Sequence, residues 1–136
     1  MIDKDNVLRS TGLMFDEFSQ INLQRHREWP RNGNGNKPVQ QEWGISDWSL
    51  AVAEEAGEIC GAVKRLNRIL AGHIMKRPAS QFATVEEAKA AIKREIGDAA
   101  TYLDLMAQEA LECTLEECVR EAFNGVSERE GLPHRI

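Results

Sequence analysis

The sequence has little cysteine and no long apolar segment, and each of these features excludes some classes of protein. Its 136 residues include three cysteines, Cys60, Cys113 and Cys118, none of them in a CxxC pair. An odd number without that spacing argues against a zinc ribbon or a disulfide framework and favours a reducing compartment. No apolar run reaches the roughly 18 residues that a spanning helix needs, and residues 1–10 lack the apolar core of a signal peptide. We therefore expect a cytoplasmic protein without a membrane partner.

Positive charge is also scarce. Lys and Arg total 17 against 22 Asp and Glu, which gives a formal net charge of −5. This balance argues against a nucleic-acid partner held by a basic surface. A phosphate ligand remains compatible with it, because a bound cation can reverse the sign of a site locally. The length suits one domain, so residues 1–136 are expected to form a single domain.

Strand-like alternation is absent, and helical apolar periodicity is present in four segments. The predicted helices cover residues 13–27, 46–70, 84–111 and 114–130. Ser46 or Asp47 is expected to cap the second helix. A threonine followed three residues later by a glutamate is the signature of a capping box, and it predicts that the third and fourth helices begin at Thr84 and Thr114.

Two segments rich in turn-forming residues separate these helices. Residues 29–44 combine two prolines with a run of Asn and Gly, and residues 71–83 contain Pro78, so both are predicted to be connections. The sequence therefore predicts an all-α fold, a small bundle of about four helices. The broad apolar stripes exceed what one copy of this length should bury, which predicts a homo-oligomer.

Two carboxylate pairs with i,i+3 spacing lie inside apolar helical frames. At about 100° per residue, Glu55 and Glu58 are predicted to border a buried stripe, which consists of Val52, Ala56, Ile59, Val63, Leu66 and Leu70. Glu95 and Asp98 border the equivalent stripe on the third helix, which consists of Ile92, Ile96, Ala99, Leu103 and Met106. If the two helices pack as an antiparallel pair, four carboxylates meet at the edge of the core.

Such a cluster is costly, because burial and mutual repulsion both disfavour the ionised state. One interpretation is a solvated face, and another is a set of salt bridges to nearby cations, namely Lys64, Arg65, Lys93 and Arg94. A third is a hard divalent cation, which prefers oxygen ligands. Glycine is unfavourable inside a helix, so Gly57 and Gly97 predict the close approach of a neighbouring helix or a ligand. Neither helix carries the Glu-x-x-His pattern of di-iron bundles.

The stretches LAVAEEAGEICGAVKR and EIGDAATYLDLMA resemble the two metal-binding helices of the MazG-like, all-α nucleoside triphosphate pyrophosphohydrolases. The resemblance rests on the doubled motif ExxE…ExxD, and the flanking text extends it to about residues 14–135. It implies a helical homo-dimer or homo-tetramer that uses Mg²⁺, with Mn²⁺ as an alternative. The implied reaction converts a ribo- or deoxyribonucleoside triphosphate to the monophosphate and pyrophosphate.

The resemblance also implies roles for individual residues. Glu55, Glu58, Glu95 and Asp98 correspond to the magnesium ligands, and Glu54 and Glu55 are the candidates for catalysis, Glu54 through a second metal or by orienting water. Asn124 matches a position near the phosphates, and Arg120 or Arg129 is the candidate to replace a lysine that the family often has beside it. The interval from Glu58 to Glu95 is longer than the family's usual one, and the extra length falls in residues 71–83.

Trp29 is the candidate for stacking on the nucleobase, since its flank QRHREW resembles the base side of the family's site. The alternative for all three tryptophans, Trp29, Trp43 and Trp48, is that they anchor a long loop in the core. A second functional hypothesis is a non-catalytic helical module that uses the apolar stripes for oligomerisation or interaction. That module needs no metal and releases no pyrophosphate, whereas the enzyme requires the metal and releases pyrophosphate.

Overall fold

A computed structural model describes residues 14–28, 43–73 and 84–136. Within these ranges the chain forms four α-helices and no β-strand: α1 Phe15–Glu28, α2 Ile45–Leu70, α3 Val85–Leu111 and α4 Leu115–Arg129. The all-α prediction is confirmed, and four helices are consistent with a small bundle. None of them is both long enough and apolar enough to cross a membrane. Leu13 and most of the two predicted connections lie outside the described residues.

The start of α2 differs from the prediction. Gly44, and not Ser46 or Asp47, is the N-cap residue. The Gly44 N–H donates to the Asp47 carboxylate at 2.9 Å. Asp47 therefore stabilises the helix start from the third helical position, where a carboxylate also interacts favourably with the helix dipole. A polar side chain near a helix start can accept a backbone hydrogen bond either as the N-cap or as the third residue of the helix. The sequence pattern does not distinguish these two positions, and so it misplaces the cap.

The starts of α3 and α4 are confirmed. The Thr84 N–H donates to Glu87 at 3.2 Å, and the Glu87 N–H donates to the Thr84 hydroxyl at 3.2 Å. The same reciprocal pair joins Thr114 and Glu117, at 2.6 and 3.2 Å. Each box satisfies backbone N–H groups that have no partner inside the helix.

Glycine ends two of the helices. Gly72 after α2 and Gly131 after α4 have φ of +75° and +66°. In each case the N–H of the next residue donates to a carbonyl five residues back, at 3.0 and 2.8 Å, as in a Schellman motif. The end of α3 has no such glycine, and Glu112 takes the left-handed conformation with φ of +55°. This conformation carries a steric cost for an L-residue.

The described residues between 43 and 106 form one compact unit built from α2 and most of α3. Near one end of the unit, four apolar side chains pack together: Leu66 and Ile69 of α2, and Ala88 and Ala91 of α3. Near the other end, the rings of Trp48 and Tyr102 lie 6.4 Å apart. The start of α2 thus lies beside the later part of α3, and its end beside the start of α3, so the two helices are antiparallel as predicted.

The buried face of α2 is not the predicted stripe. The residues of α2 that are buried are Trp48, Ala51 and Ala62, whereas Val63 and Leu70, both in the predicted stripe, are exposed. On a helical wheel the buried residues lie within about 40° of Glu55. Glu55 therefore belongs to the buried face instead of bordering it. On α3, Ile96 and Leu103 are likewise exposed.

The second compact unit combines α1, α4 and the last turn of α3 from Ala107 onward. Its buried residues are mainly polar, namely Ser19, Asn22 and His26 of α1 and Ser127 of α4. The Gln108 side chain donates to the Ser19 carbonyl at 3.0 Å. The large apolar residues Met14, Phe15 and Ile21 are exposed. The apolar content that predicts α1 is therefore not what this helix buries within the described chain.

Candidate metal centre

Three of the predicted ligands lie together on the facing helices of the first unit. One carboxylate oxygen each of Glu55, Glu58 and Glu95 lies within 4.8 Å of the other two. The i,i+3 spacing places Glu55 and Glu58 on adjacent turns of α2, and the antiparallel arrangement places Glu95 opposite them. These three residues are among the four carboxylates that the sequence predicts to meet, and Asp98 is the fourth.

Glu55 is the most constrained of the three. Its side chain is half-buried, and its Oε2 atom is buried with no hydrogen-bond partner among the described residues. Burial is the main cause that raises the pKa of the Glu55 carboxyl, and the charges of Glu58, Asp98 and Glu95 raise it further. A buried oxygen without a partner costs free energy unless a cation or a proton compensates it. The arrangement supplies an acceptor that the described chain leaves unused.

Glu58 is exposed, and Glu95 has the largest influence on the pKa of its carboxyl group. A hydrogen bond between the two carboxyl groups is the largest cause that raises the pKa of Glu58, followed by the negative charge of Glu95. Two carboxyl groups in hydrogen-bond contact share a proton when no cation is present, because both cannot ionise cheaply. A divalent cation would take the place of that proton.

The other two acidic candidates, Asp98 and Glu54, are not part of the three-residue cluster. Asp98 is exposed and is not one of the three clustered residues, although its charge raises the pKa of both Glu55 and Glu58. Glu54 is also exposed, and its charge acts on the same two residues. Every charge that shifts these two pKa values is negative. The described structure therefore gives no support to salt bridges as the compensation for Glu55 and Glu58.

The donor set fits a hard cation of magnesium size. All the donors are carboxylate oxygens, which Mg²⁺ and Mn²⁺ prefer. Oxygen ligands lie about 2.1 Å from Mg²⁺, so two of them are at most about 4.2 Å apart. Oxygens within 4.8 Å of one another need only a small side-chain movement to reach that spacing. The unpartnered Oε2 of Glu55 supplies a ligand atom without the loss of an existing hydrogen bond.

The two helical glycines do not mark a close helix contact. A Cβ atom built on Gly57 or Gly97 would meet no atom within 4 Å. The expectation that a neighbouring helix approaches them is therefore wrong for the described residues. The space beside both glycines is open within the described residues, and the approach of a ligand remains the prediction.

The sequence predicts four nucleotide contacts, at Trp29, Arg120, Asn124 and Arg129. Trp29 is outside the described residues. The other three belong to the second unit, and each has a partner within the chain: Arg120 forms an ion pair with Glu116, Arg129 with Glu130, and the Asn124 amide pairs with both backbone groups of Ile136 at 3.0 Å. Their role in nucleotide binding stays a prediction.

The other two tryptophans pack against each other at the start of α2. Trp48 is 1% exposed, which confirms that it is a core residue. Trp43 packs edge-on against it, with ring centroids 4.9 Å apart. Both therefore anchor the start of α2.

Apolar periodicity does not reveal two buried polar features. Asp104 of α3 is fully buried, yet on the helical wheel it lies about 180° from Glu95, on the side expected to be polar. His26 is only 4% exposed, and burial lowers the pKa of its imidazole. Both are polar residues, to which an apolar pattern assigns no buried position, so this pattern does not predict their burial.

Comparison with known proteins gives no match, whether with protein-family models, with curated proteins or with solved structures. The geometry of the carboxylate cluster and the sequence motif are therefore the observations that bear on function.

Proposed function

We propose that this protein is a Mg²⁺-dependent hydrolase that converts a nucleoside triphosphate to the monophosphate and pyrophosphate. The observation that carries the proposal is the cluster of Glu55, Glu58 and Glu95 across two antiparallel helices. The negative charge of a triphosphate would be repelled by these carboxylates, so a cation between them is required for binding. The type of reaction is proposed from the resemblance of the two helices to those of the MazG-like family.

In this proposal the carboxylates hold the cation and position water. Glu55, Glu58 and Glu95 supply ligand oxygens, and Asp98 adds one from the next turn of α3. Bound Mg²⁺ neutralises the phosphate oxygens and favours attack at phosphorus. Glu54 adjoins the cluster on α2 and is exposed to solvent, so it is the residue proposed to orient the attacking water.

The decisive assay measures products as well as rate. The protein is incubated with each ribo- and deoxyribonucleoside triphosphate in millimolar Mg²⁺ or in EDTA, and pyrophosphate and phosphate are quantified separately. We expect pyrophosphate and monophosphate with Mg²⁺ and no turnover in EDTA. Release of phosphate and diphosphate, or no turnover of any nucleotide, contradicts the proposal.

Matched variants assign the roles. Glu58→Gln and Asp98→Asn are expected to abolish hydrolysis, because each removes a ligand charge. Glu54→Gln is expected to lower kcat while stabilisation by Mg²⁺ is retained, since it leaves the clustered ligands intact. Glu128→Gln, an exposed change of the same chemistry outside the cluster, is the control and should keep full activity.

We also propose that the chain works as a homo-dimer or homo-tetramer. The supporting observation is the number of large apolar side chains left exposed on α2 and α3, namely Leu50, Val63, Leu70, Ile96 and Leu103. Such surfaces are typical of protein interfaces. Sedimentation velocity at micromolar concentration should show a single species larger than a monomer, and a monomer alone would contradict this.

The same exposed side chains favour the second hypothesis, a non-catalytic oligomerisation or interaction module. The module predicts assembly without metal dependence and without pyrophosphate release. Assembly that is unchanged by EDTA, together with no turnover, would select it over the hydrolase.

A further inference from the structure

Two of the three cysteines lie in contact at the turn between α3 and α4. The Sγ atoms of Cys113 and Cys118 are 3.6 Å apart, and both side chains are half-buried. Cys113 immediately precedes the N-cap Thr114, and Cys118 is the fourth residue of α4. These are the positions whose side chains meet in a hydrophobic staple, so the contact follows from the way the helix begins.

The backbone holds this contact in place. The Cys113 N–H donates to the Ala107 carbonyl at 3.1 Å, and the Cys118 N–H donates to the Thr114 carbonyl at 3.2 Å. The capping box of Thr114 and Glu117 fixes the turn between the two cysteines. The thiols are therefore preorganised, and their contact does not depend on a rare excursion of the loop.

The remaining distance is small. A disulfide requires the two sulfur atoms to lie about 2.05 Å apart, so the pair must close by about 1.6 Å from its present 3.6 Å. We expect rotation of the two side chains to supply most of this movement. The hydrophobic staple thus has the geometry of a dithiol site as well.

We propose that Cys113 and Cys118 form a reversible thiol–disulfide exchange site for a low-molecular-weight disulfide such as glutathione disulfide. One cysteine loses its proton, and its thiolate attacks a sulfur of glutathione disulfide, which gives a mixed disulfide and one glutathione thiolate. The other cysteine then loses its proton and attacks the protein-side sulfur, which releases the second glutathione. In sum, two protein thiols are oxidised to one disulfide, and one glutathione disulfide is reduced to two glutathione molecules.

The surroundings set the speed of this exchange. The hydrogen bond with Cys118 is the largest cause that raises the pKa of the Cys113 thiol, and burial and the charges of Glu117 and Glu121 add to it. The thiolate is the attacking species, so exchange at neutral pH is slow. While the pH is below the pKa of the thiol, the exchange rate should rise about tenfold for each unit by which the pH is raised.

Mass spectrometry on the full-length protein tests the proposal. A Cys60→Ser variant is used as the parent, because Cys60 is exposed and would form adducts of its own. After treatment with millimolar glutathione disulfide at pH 8, we expect a loss of about 2 Da in the monomer, because a disulfide lacks the two thiol hydrogens. Peptide mapping should join Cys113 to Cys118, and dithiothreitol should reverse the change.

Two outcomes overturn the proposal. One is a stable glutathione adduct at either cysteine of the parent, and the other is an unchanged mass after prolonged treatment at pH 8. Cys113→Ser and Cys118→Ser are the matched controls, because each leaves one thiol that should stop at the mixed disulfide. The oxidised parent should also melt on the order of 5 °C higher, since the new bond closes a short loop.

Discussion

Glu58 of α2 and Glu95 of α3 each place a carboxylate oxygen within 4.8 Å of the other, although they belong to different helices. Their like charges repel when both carboxyl groups are ionised, and a bound proton or cation relieves that repulsion. The contact therefore describes the metal-free state of the proposed site. It makes the stability of that state sensitive to changes at the cluster, which is the basis of the first prediction.

Glu55→Gln is expected to leave the metal-free protein as stable as the parent or up to about 1 kcal/mol more stable. The substitution removes a partly buried negative charge that is repelled by Glu58, Asp98 and Glu95, and both burial and repulsion disfavour that charge. In addition, Mg²⁺ should raise the Tm of the parent more than that of the variant, because a ligand that binds the folded state stabilises it. Melting curves in EDTA and in millimolar Mg²⁺ measure both effects.

Glu54→Gln is the matched control for that comparison, because Glu54 is the exposed neighbour of Glu55 on the same helix. Its metal-free stability should change by no more than about 0.5 kcal/mol. A loss of more than about 1 kcal/mol in Glu55→Gln, with no response of the parent to Mg²⁺, would indicate a structural ion pair and contradict the metal site.

The variants Gly57→Ala and Gly97→Ala test whether the helix surfaces beside these glycines are open to solvent or are covered by a ligand or a second copy of the chain. A methyl group added at either position would meet no atom within 4 Å, so each alanine should stabilise its helix by roughly 0.5–1 kcal/mol. If a ligand or a second copy of the chain packs beside these glycines, the same variants should instead lose nucleotide turnover or oligomer. Urea titration, a turnover assay and sedimentation of the same samples distinguish the two results.

Glu112→Gly is expected to raise the free energy of unfolding by up to about 1 kcal/mol. Glu112 has φ of +55°, and glycine adopts this conformation without the steric cost of a Cβ atom, although it loses more entropy on folding. Glu112→Val should be destabilising, because a β-branched side chain fits the left-handed region poorly. Equal stability of the glycine and valine variants in urea would show that the turn is not strained there.

Stability should depend on pH through His26. Burial lowers the pKa of its imidazole; the charge of Arg27 lowers it further, and that of Glu109 opposes the shift. Because the folded state resists protonation, the unfolded chain binds more protons once the pH falls below about 6.5. The contribution of His26 is therefore complete above that pH and is lost as the pH falls from there through the lowered folded pKa.

His26→Gln removes this titration, so the difference in unfolding free energy between parent and variant should shrink as the pH falls from about 7.5 to about 5. Urea denaturation of both proteins across that range isolates the histidine, since other titrating groups are common to both. A difference that stays constant with pH would show that the imidazole titrates alike in the folded and unfolded states.

Local signals in the sequence predict more of the structure than the packing pattern does. The capping boxes at Thr84 and Thr114 locate two helix starts correctly, because the hydrogen bonds involved are confined to four residues. The i,i+3 carboxylates likewise identify Glu55, Glu58 and Glu95 as residues that meet. Each of these predictions depends on geometry within one helix or on one antiparallel contact.

The buried face of each helix is harder to predict. Apolar periodicity gives weight to large residues such as Val63, Leu70 and Ile96, which are exposed in the described structure, whereas the buried positions are mostly alanine. Alanine contributes little to an apolar pattern, yet it is easily buried because it is small. The burial of Asp104 depends on tertiary packing that no local pattern records.

The small residues at the contact between α2 and α3 act as spacers. Leu66 and Ile69 of one helix rest on Ala88 and Ala91 of the other, and a larger side chain at either alanine would push the two backbones apart. Glu55 and Glu58 would then move away from Glu95, and a wider gap suits Ca²⁺, whose bonds to oxygen are about 2.3–2.6 Å, better than Mg²⁺ at about 2.0–2.1 Å. In the proposed site, ion preference would thus depend on small side chains that never touch the ion.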